Sequence, residues 1–296
     1  MALIKEMINR GISVLVLCRA ESVRSAEIPS HPLVRKVNCP LADLSEFSLE
    51  GGECYDVFFH LAWEGTVGDA RNDMPLQNRN VGYTLDAVAL AGRLGCHTFV
   101  GAGSQAEYGR VEGQLTPRTP AFPENGYGMA KLCAGQMSRV MCEQRGIRHV
   151  WARILSVYGP YDTETSMIMS TLAKLKKGEK PSYTEGEQIW DYLYSADAAR
   201  ALLAMAEKGR HGAVYCLGGG DPKPLREYIR MLRDVAAPDA VLGFGEIPYA
   251  PRQVMHLCAD MRSLTEDTGF VPSVSFEEGI RKTVAWYDGY TAKRKT

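Results

Sequence analysis

Tyr127 and Lys131 stand four residues apart in Asn125-Gly126-Tyr127-Gly128-Met129-Ala130-Lys131, where a run of good helix formers begins. On a helix that spacing puts both side chains on one face. A phenol titrating near its ordinary value of about 10 is a poor base at neutral pH, and a neighbouring cation favours its ionised form. The pair therefore suits proton exchange with a hydroxyl or a carbonyl. The same spacing also arises from a core aromatic and a solvated lysine, so the chemistry needs further residues beside it. Ser104 is one candidate, closing the segment Gly101-Ala102-Gly103-Ser104 after an apolar run.

The elements that must position these groups alternate. Residues 2–9 read as a helix, with Gly11 as its stop, and residues 12–18 as a β-branched, buried strand that runs into Arg19. Further strands are expected at 33–37, 56–62, 97–100 and 149–155, and helices at 80–95 and from 129 to about 145, with a helix or turn opening at Asp43. Strands alternating with helices imply right-handed βαβ units and a Rossmann-like doubly wound parallel α/β sheet. Ligands bind such sheets at the carboxyl ends of the strands. Ser104 and the loop after Ala62 both fall there.

Beyond Gly159-Pro160 the pattern loosens. Helices are expected at 167–177, 196–207, 225–235 and 276–287, and strands at 189–194 and 213–217, among many prolines. Residues 1–160 read as the sheet domain and 161–296 as a smaller substrate lobe, interleaved with the last strands of the sheet.

Composition excludes several classes. The 296 residues carry 45% hydrophobic and 23% charged residues and a formal net charge of -1, as in an ordinary soluble globular protein with ample core. No basic excess points to nucleic acid, no stretch is long enough to span a membrane, and Lys293-Arg294-Lys295 reads as a solvated end. The eight cysteines are scattered without a C-x-x-C, which fits a reducing cytoplasm better than a disulfide framework, and no metal site is expected.

One expected feature is missing. A doubly wound nucleotide-binding domain ordinarily begins with a strand and a Gly-rich turn whose N–H groups meet a pyrophosphate. No G-x-G-x-x-G or G-x-x-G-x-x-G precedes Arg19, and Gly218-Gly219-Gly220 is followed by Asp221-Pro222, a charge and a missing donor that favour a plain turn. A chain lacking a central strand of its sheet is expected to bind dinucleotide poorly and to be less stable than one extended by that strand. A tight dissociation constant for NADPH on these 296 residues would contradict this.

In order and spacing the chain resembles the extended short-chain dehydrogenase/reductases, specifically the NAD-dependent epimerase/dehydratase group acting on nucleotide sugars. His60-Leu61-Ala62 is similar to its H-x-A segment, Ser104 to Gly109 to S-x-x-x-Y-G, and Tyr127 to Lys131 to Y-x-x-x-K. Residues 153–160 resemble R-x-x-N-V-Y-G-P, and 191–197 resemble the R-D-F-I-x-V-x-D strand. The resemblance implies that Tyr127 is the general acid or base, that Lys131 lowers its pKa and holds the nicotinamide ribose, and that Ser104 bonds the same substrate oxygen. Arg19, Leu61, Ala62, Asn80, Tyr127 and Lys131 would contact the cofactor, and Glu64, Gln105, Ser156, Trp190 and Arg252 the substrate.

Departures narrow the reading. The dehydratases carry T-D-E where this chain has Ser104-Gln105-Ala106; Glu107 lies one place further and either substitutes or is structural. Ser156 replaces an asparagine, and Trp190 an arginine that grips the diphosphate, while Arg252 remains; Trp190 either stacks on a ligand or packs. Arg19 tips the cofactor to NADP over NAD, since an arginine there accommodates a 2′-phosphate. The expected activity is epimerisation or reduction of a nucleotide-activated sugar by a homodimer. The alternatives are a cofactor-poor binding paralogue and a reductase of non-nucleotide carbonyls.

Overall fold

The computed structural model describes residues 1–49 and 51–293; Arg294 and Lys295 of the basic end lie outside them. Helix α1 (Ala2–Asn9) leads into β1 (Val14–Cys18), β2 (Val34–Asn38) and β3 (Val57–His60). Helix α2 (Met74–Arg93) and β4 (Thr98–Ser104) follow, then short β5 (Gln114–Leu115) and α3 (Gly126–Gln144). Strands β6 (Arg148–Ile154) and β7 (Ser156–Tyr158) precede α4 (Met167–Lys176), and β8 (Ile189–Trp190) and β9 (Tyr192–Tyr194) precede α5 (Ser195–Lys208). The remainder is β10 (Ala213–Leu217), β11 (Lys223–Pro224), α6 (Leu225–Ala236), β12 (His256–Ala259), α7 (Arg262–Thr268) and α8 (Phe276–Lys293).

Four strands form a parallel sheet in the order β10-β6-β4-β3, and β1 and β2 form a separate parallel pair. Alternation along the strands explains why both faces are covered. Val57, Phe59, Val100 and Val150 pack toward α5, while Phe58, Phe99 and Ala91 of α2 share the opposite layer. On that second face the rings of Phe58 and His60 both stack on Phe99, and the stack continues through His149 to Trp151. Leu17 of β1 packs in the same layer as Phe58 of β3. Among the described residues no strand pairs with β1 on its side away from β2, or with β3 on its side away from β4.

Beyond residue 160, β10 completes the sheet, while Ile168, Leu172, Leu232 and Ile280 build a separate core between α4, α6 and α8. Helix α2 begins at Met74, ahead of the expected residue 80, because Asp73 caps it by accepting the Leu76 N–H at 3.0 Å and Pro75 fits the first turn. The strand expected at 189–194 is two short strands, interrupted where Asp191 turns inward. Strand β12 and helix α7 were not foreseen. Among the described residues no helix is long and apolar enough to cross a membrane, and no group of three His, Cys, Asp or Glu could hold a metal ion.

Candidate active site

Close backbone approach brings the three residues of the motif together. Strand β4 lies flush on Trp151: a Cβ at Gly103 would meet the indole Nε1 at 2.3 Å. Helix α3 is seated as tightly on the turn that follows, where a Cβ at Gly128 would meet the Ala106 carbonyl oxygen at 2.2 Å. The head of α3 is held by two asparagines. Asn125 Oδ1 accepts the Gly128 N–H at 2.9 Å, and Asn72 Oδ1 accepts the Gly126 N–H at 3.0 Å. Ser104 caps the turn Gln105–Glu107, its Oγ accepting the Ala106 N–H at 3.2 Å.

Tyr127 is 9% exposed, and its phenol stands close enough to the Ser104 side chain for that hydroxyl to favour its ionised form. Trp63 meets its ring edge-on at 6.1 Å between centroids, and the Arg71 guanidinium lies 4.3 Å from the ring centroid. Lys131 is buried, its Nζ donating to the Ala102 carbonyl at 2.7 Å under the Trp63 ring, 3.8 Å from that centroid. The electrostatics differ from the expectation that Lys131 makes the phenol acidic. Burial raises the Tyr127 phenol above its ordinary value, opposed by the Ser104 hydrogen bond and the Arg71 charge and reinforced by the Glu107 charge. Burial also pushes the Lys131 ammonium down to about 7, with Glu107 opposing. Desolvation penalises both charged forms and is the largest cause at each.

Glu107 is fully buried and structural. Its carboxylate accepts the Ser104 N–H at 2.8 Å, the Trp151 Nε1–H at 3.0 Å and the Arg153 Nε–H at 2.6 Å. Asp191 plays a similar part at the glycine turn, accepting the Gly219 and Gly220 N–H groups at 2.6 and 3.0 Å and the Ala259 N–H at 3.0 Å. The anion nest of that turn is thus filled from within the chain.

Other expected residues divide. Leu61 and Ala62 are exposed where β3 ends, Gln105 is half-buried in the Ser104 turn, and Arg19 is exposed just past β1. Asn80 differs from its expected cofactor contact. It is 1% exposed, and its amide is spent on Glu64 N–H (2.9 Å), Glu64 O (3.0 Å) and Leu76 O (3.2 Å), so it fixes the loop that carries Glu64. Trp190 donates to Ser156 Oγ at 2.8 Å and packs beside Tyr108, which ties up the serine proposed for substrate. Arg252 is exposed, with a left-handed φ of 79° in its loop. Sequence reasoning missed Trp63, Arg71 and Gln77. Gln77 donates to Gly65 O and Ala70 O and accepts from Trp63, which a buried glutamine four residues past an N-cap could have signalled.

His60 and His149 lie in the ring stack and are both pushed down to about 3, chiefly by burial, helped by Lys131 for His60 and by His211 and Arg139 for His149. An unfolded imidazole titrates near 6.5, so between these values the unfolded chain binds more protons. The stability from neutral burial is complete above about pH 6.5 and is lost as pH falls toward 3. Each histidine is expected to contribute about 1.4 kcal/mol per pH unit to that slope. Urea unfolding at pH 7, 6 and 5 should show a shallower acid slope for His149→Gln; equal slopes would refute it.

Fold and site together define a Rossmann-like protein of the short-chain dehydrogenase/reductase type. More narrowly, the chain belongs to the NAD dependent epimerase/dehydratase family, whose family model matches residues 1–218. It is 27% identical over 268 residues to a dTDP-glucose 4,6-dehydratase of Streptomyces griseus, covering 88% of this chain and 80% of that one. It spans only 50% to 57% of the next seven curated relatives it matches. Among solved structures it resembles the UDP-N-acetylglucosamine 4-epimerase of Methanobrevibacter ruminantium M1 in complex with UDP-N-acetylmuramic acid (TM-score 0.86, 22% identity, 98% of this chain and 94% of that one). It also resembles RMD of Pseudomonas aeruginosa complexed with NADPH (TM-score 0.78, 21% identity, 93% and 99%).

Proposed function

We propose that this chain is an NAD(P)-dependent epimerase or reductase of a nucleotide-activated sugar, with Tyr127 as general acid or base. The observation that carries the reading is the approach of the Ser104 side chain, at the carboxyl end of β4, to the buried Tyr127 phenol, with Lys131 one turn along the helix. A substrate hydroxyl set between the two oxygens can pass its proton to Tyr127 while Ser104 steadies the charge left behind. A bound nicotinamide supplies the hydride step, which no side chain can. Tyr127 and Lys131 would hold its ribose, with Leu61 and Ala62 beside it. Arg19, exposed and without a carboxylate partner among the described residues, suits the 2′-phosphate of NADP. No Gly-rich turn for the pyrophosphate is found among the described residues.

Epimerisation or reduction is preferred to dehydration because Glu107 is already committed to three donors and no carboxylate stands between it and Ser104. Pairing as a homodimer is supported by exposed Met129, Met137 and Val140 on α3, beside an open groove of about 820 Å³ that reaches Leu85 of α2. The neutral composition and unpaired thiols of all eight cysteines suit the cytoplasm. Melting curves with UDP-, CDP-, GDP- and dTDP-sugars against simple aldehydes, each with NADPH or NAD, test the substrate class. One nucleotide series is expected to raise the melting temperature; a shift with aldehydes alone would move the protein to the small-carbonyl reading.

A further inference from the structure

Arg71 stands on the 3₁₀ turn Gly68–Asn72, a segment the motif does not include. Its guanidinium lies 4.3 Å from the Tyr127 ring centroid, and its Nη1 donates to the Thr66 carbonyl at 3.1 Å. Among the described residues no carboxylate lies within ion-pairing distance of it, so its charge is not cancelled locally. The turn is fixed to both sides of the site. Asn72 accepts the Gly126 N–H next to Tyr127, and Gln77 donates to the Gly65 and Ala70 carbonyls while accepting from Trp63. Arg71 is therefore held where it is by the same contacts that shape the pocket.

The groups facing the phenol are few. They are the Ser104 hydroxyl, the edge of Trp63, the Glu107 charge from behind, and two cations, Arg71 and Lys131. Lys131 Nζ lies 5.9 Å from the Tyr127 ring centroid, but it is buried, gives a hydrogen to Ala102 O, and holds its proton only to about 7. A guanidinium keeps its proton at any pH a folded protein survives, and it is less strongly hydrated than an ammonium, so it can lie against a ring. A positive charge this close to a phenol ring favours its ionised form.

We propose that Arg71 is a positioning residue that supplies a permanent positive charge favouring the ionised form of Tyr127, beside the charge of Lys131. This rests on the proposed function only in taking Tyr127 as the reacting group, and it is testable in the protein without substrate. The full chain is labelled with 3-fluorotyrosine, whose phenol titrates lower than tyrosine's, and the Tyr127 ¹⁹F resonance is assigned by its loss in Tyr127→Phe. Arg71→Gln is expected to raise the proton affinity of that phenol roughly tenfold, and Arg71→Lys to return most of the shift. A merely structural role gives the opposite sign, since loosening the turn admits water and lowers a phenol that burial has raised. The proposal fails if Arg71→Gln titrates with the wild type or below it, or if Arg71→Lys rises as far as Arg71→Gln. Loss of turnover in Tyr127→Phe is a separate result and decides the reaction, not the source of the charge.

Discussion

Tyr127→Phe is expected to cut turnover of whichever nucleotide sugar stabilises the protein by roughly 10²–10⁴-fold, the usual contribution of a general acid or base. The substitution deletes one oxygen and little else. The ring keeps its edge contact with Trp63 and its place under Arg71, and only the approach of the phenol oxygen to Ser104 is lost. Even a full hydrogen bond there would be worth only about 1 kcal/mol net, so the melting temperature should move by only a few degrees. Rate and stability are thereby separated. The measurement is kcat from product formation beside thermal melting of the same preparation. A variant that turns over like the wild type would place this chain with binding proteins built on an enzyme fold, whatever its motifs.

The parts legible in the sequence share a cause: they rest on short-range pattern. Residues 213–217 and 97–100 read as strands because both faces of the sheet are covered, which leaves continuous apolar runs. Tyr127 and Lys131 fall on one face because four residues make one turn of helix. What escaped depends on distant partners. Nothing local to Asp191 shows that two glycines and Ala259 converge on it, yet those bonds break the expected strand in two. Asn80 looks like a ligand group in any motif, and only the fold reveals that the Glu64 backbone already occupies it. Arg71 and Trp63 lie more than 50 residues from Tyr127 and belong to no periodic element, so no spacing could have matched them to it. The sign of the phenol shift was misjudged for the same reason, because burial is a property of the whole pocket and a neighbouring cation is a property of one turn.

Glu107→Ala should be the most destabilising single change in the site, by about 3–5 kcal/mol, because it strands a buried cation. The Arg153 and Glu107 side chains are 5% and 1% exposed, and the carboxylate is the only ion-pair partner that Arg153 has among the described residues. Removal also orphans the Trp151 indole N–H and the Ser104 backbone N–H, each buried against the same carboxylate. Glu107→Gln keeps the shape and an acceptor but not the charge, so it should fall between the two. Pairing Glu107→Ala with Arg153→Met should recover much of the loss, since a buried ion pair replaced by apolar side chains is often neutral. Urea unfolding of the four proteins gives the cycle directly; a Glu107→Ala loss under about 1 kcal/mol would mean that water reaches Arg153, and the pair would then have to count as a surface contact. The expected cycle has a consequence for the chemistry as well. Glu107 holds the amide of Ser104, whose side chain stands against the phenol, so a carboxylate that never meets substrate would still decide where the reacting oxygen sits.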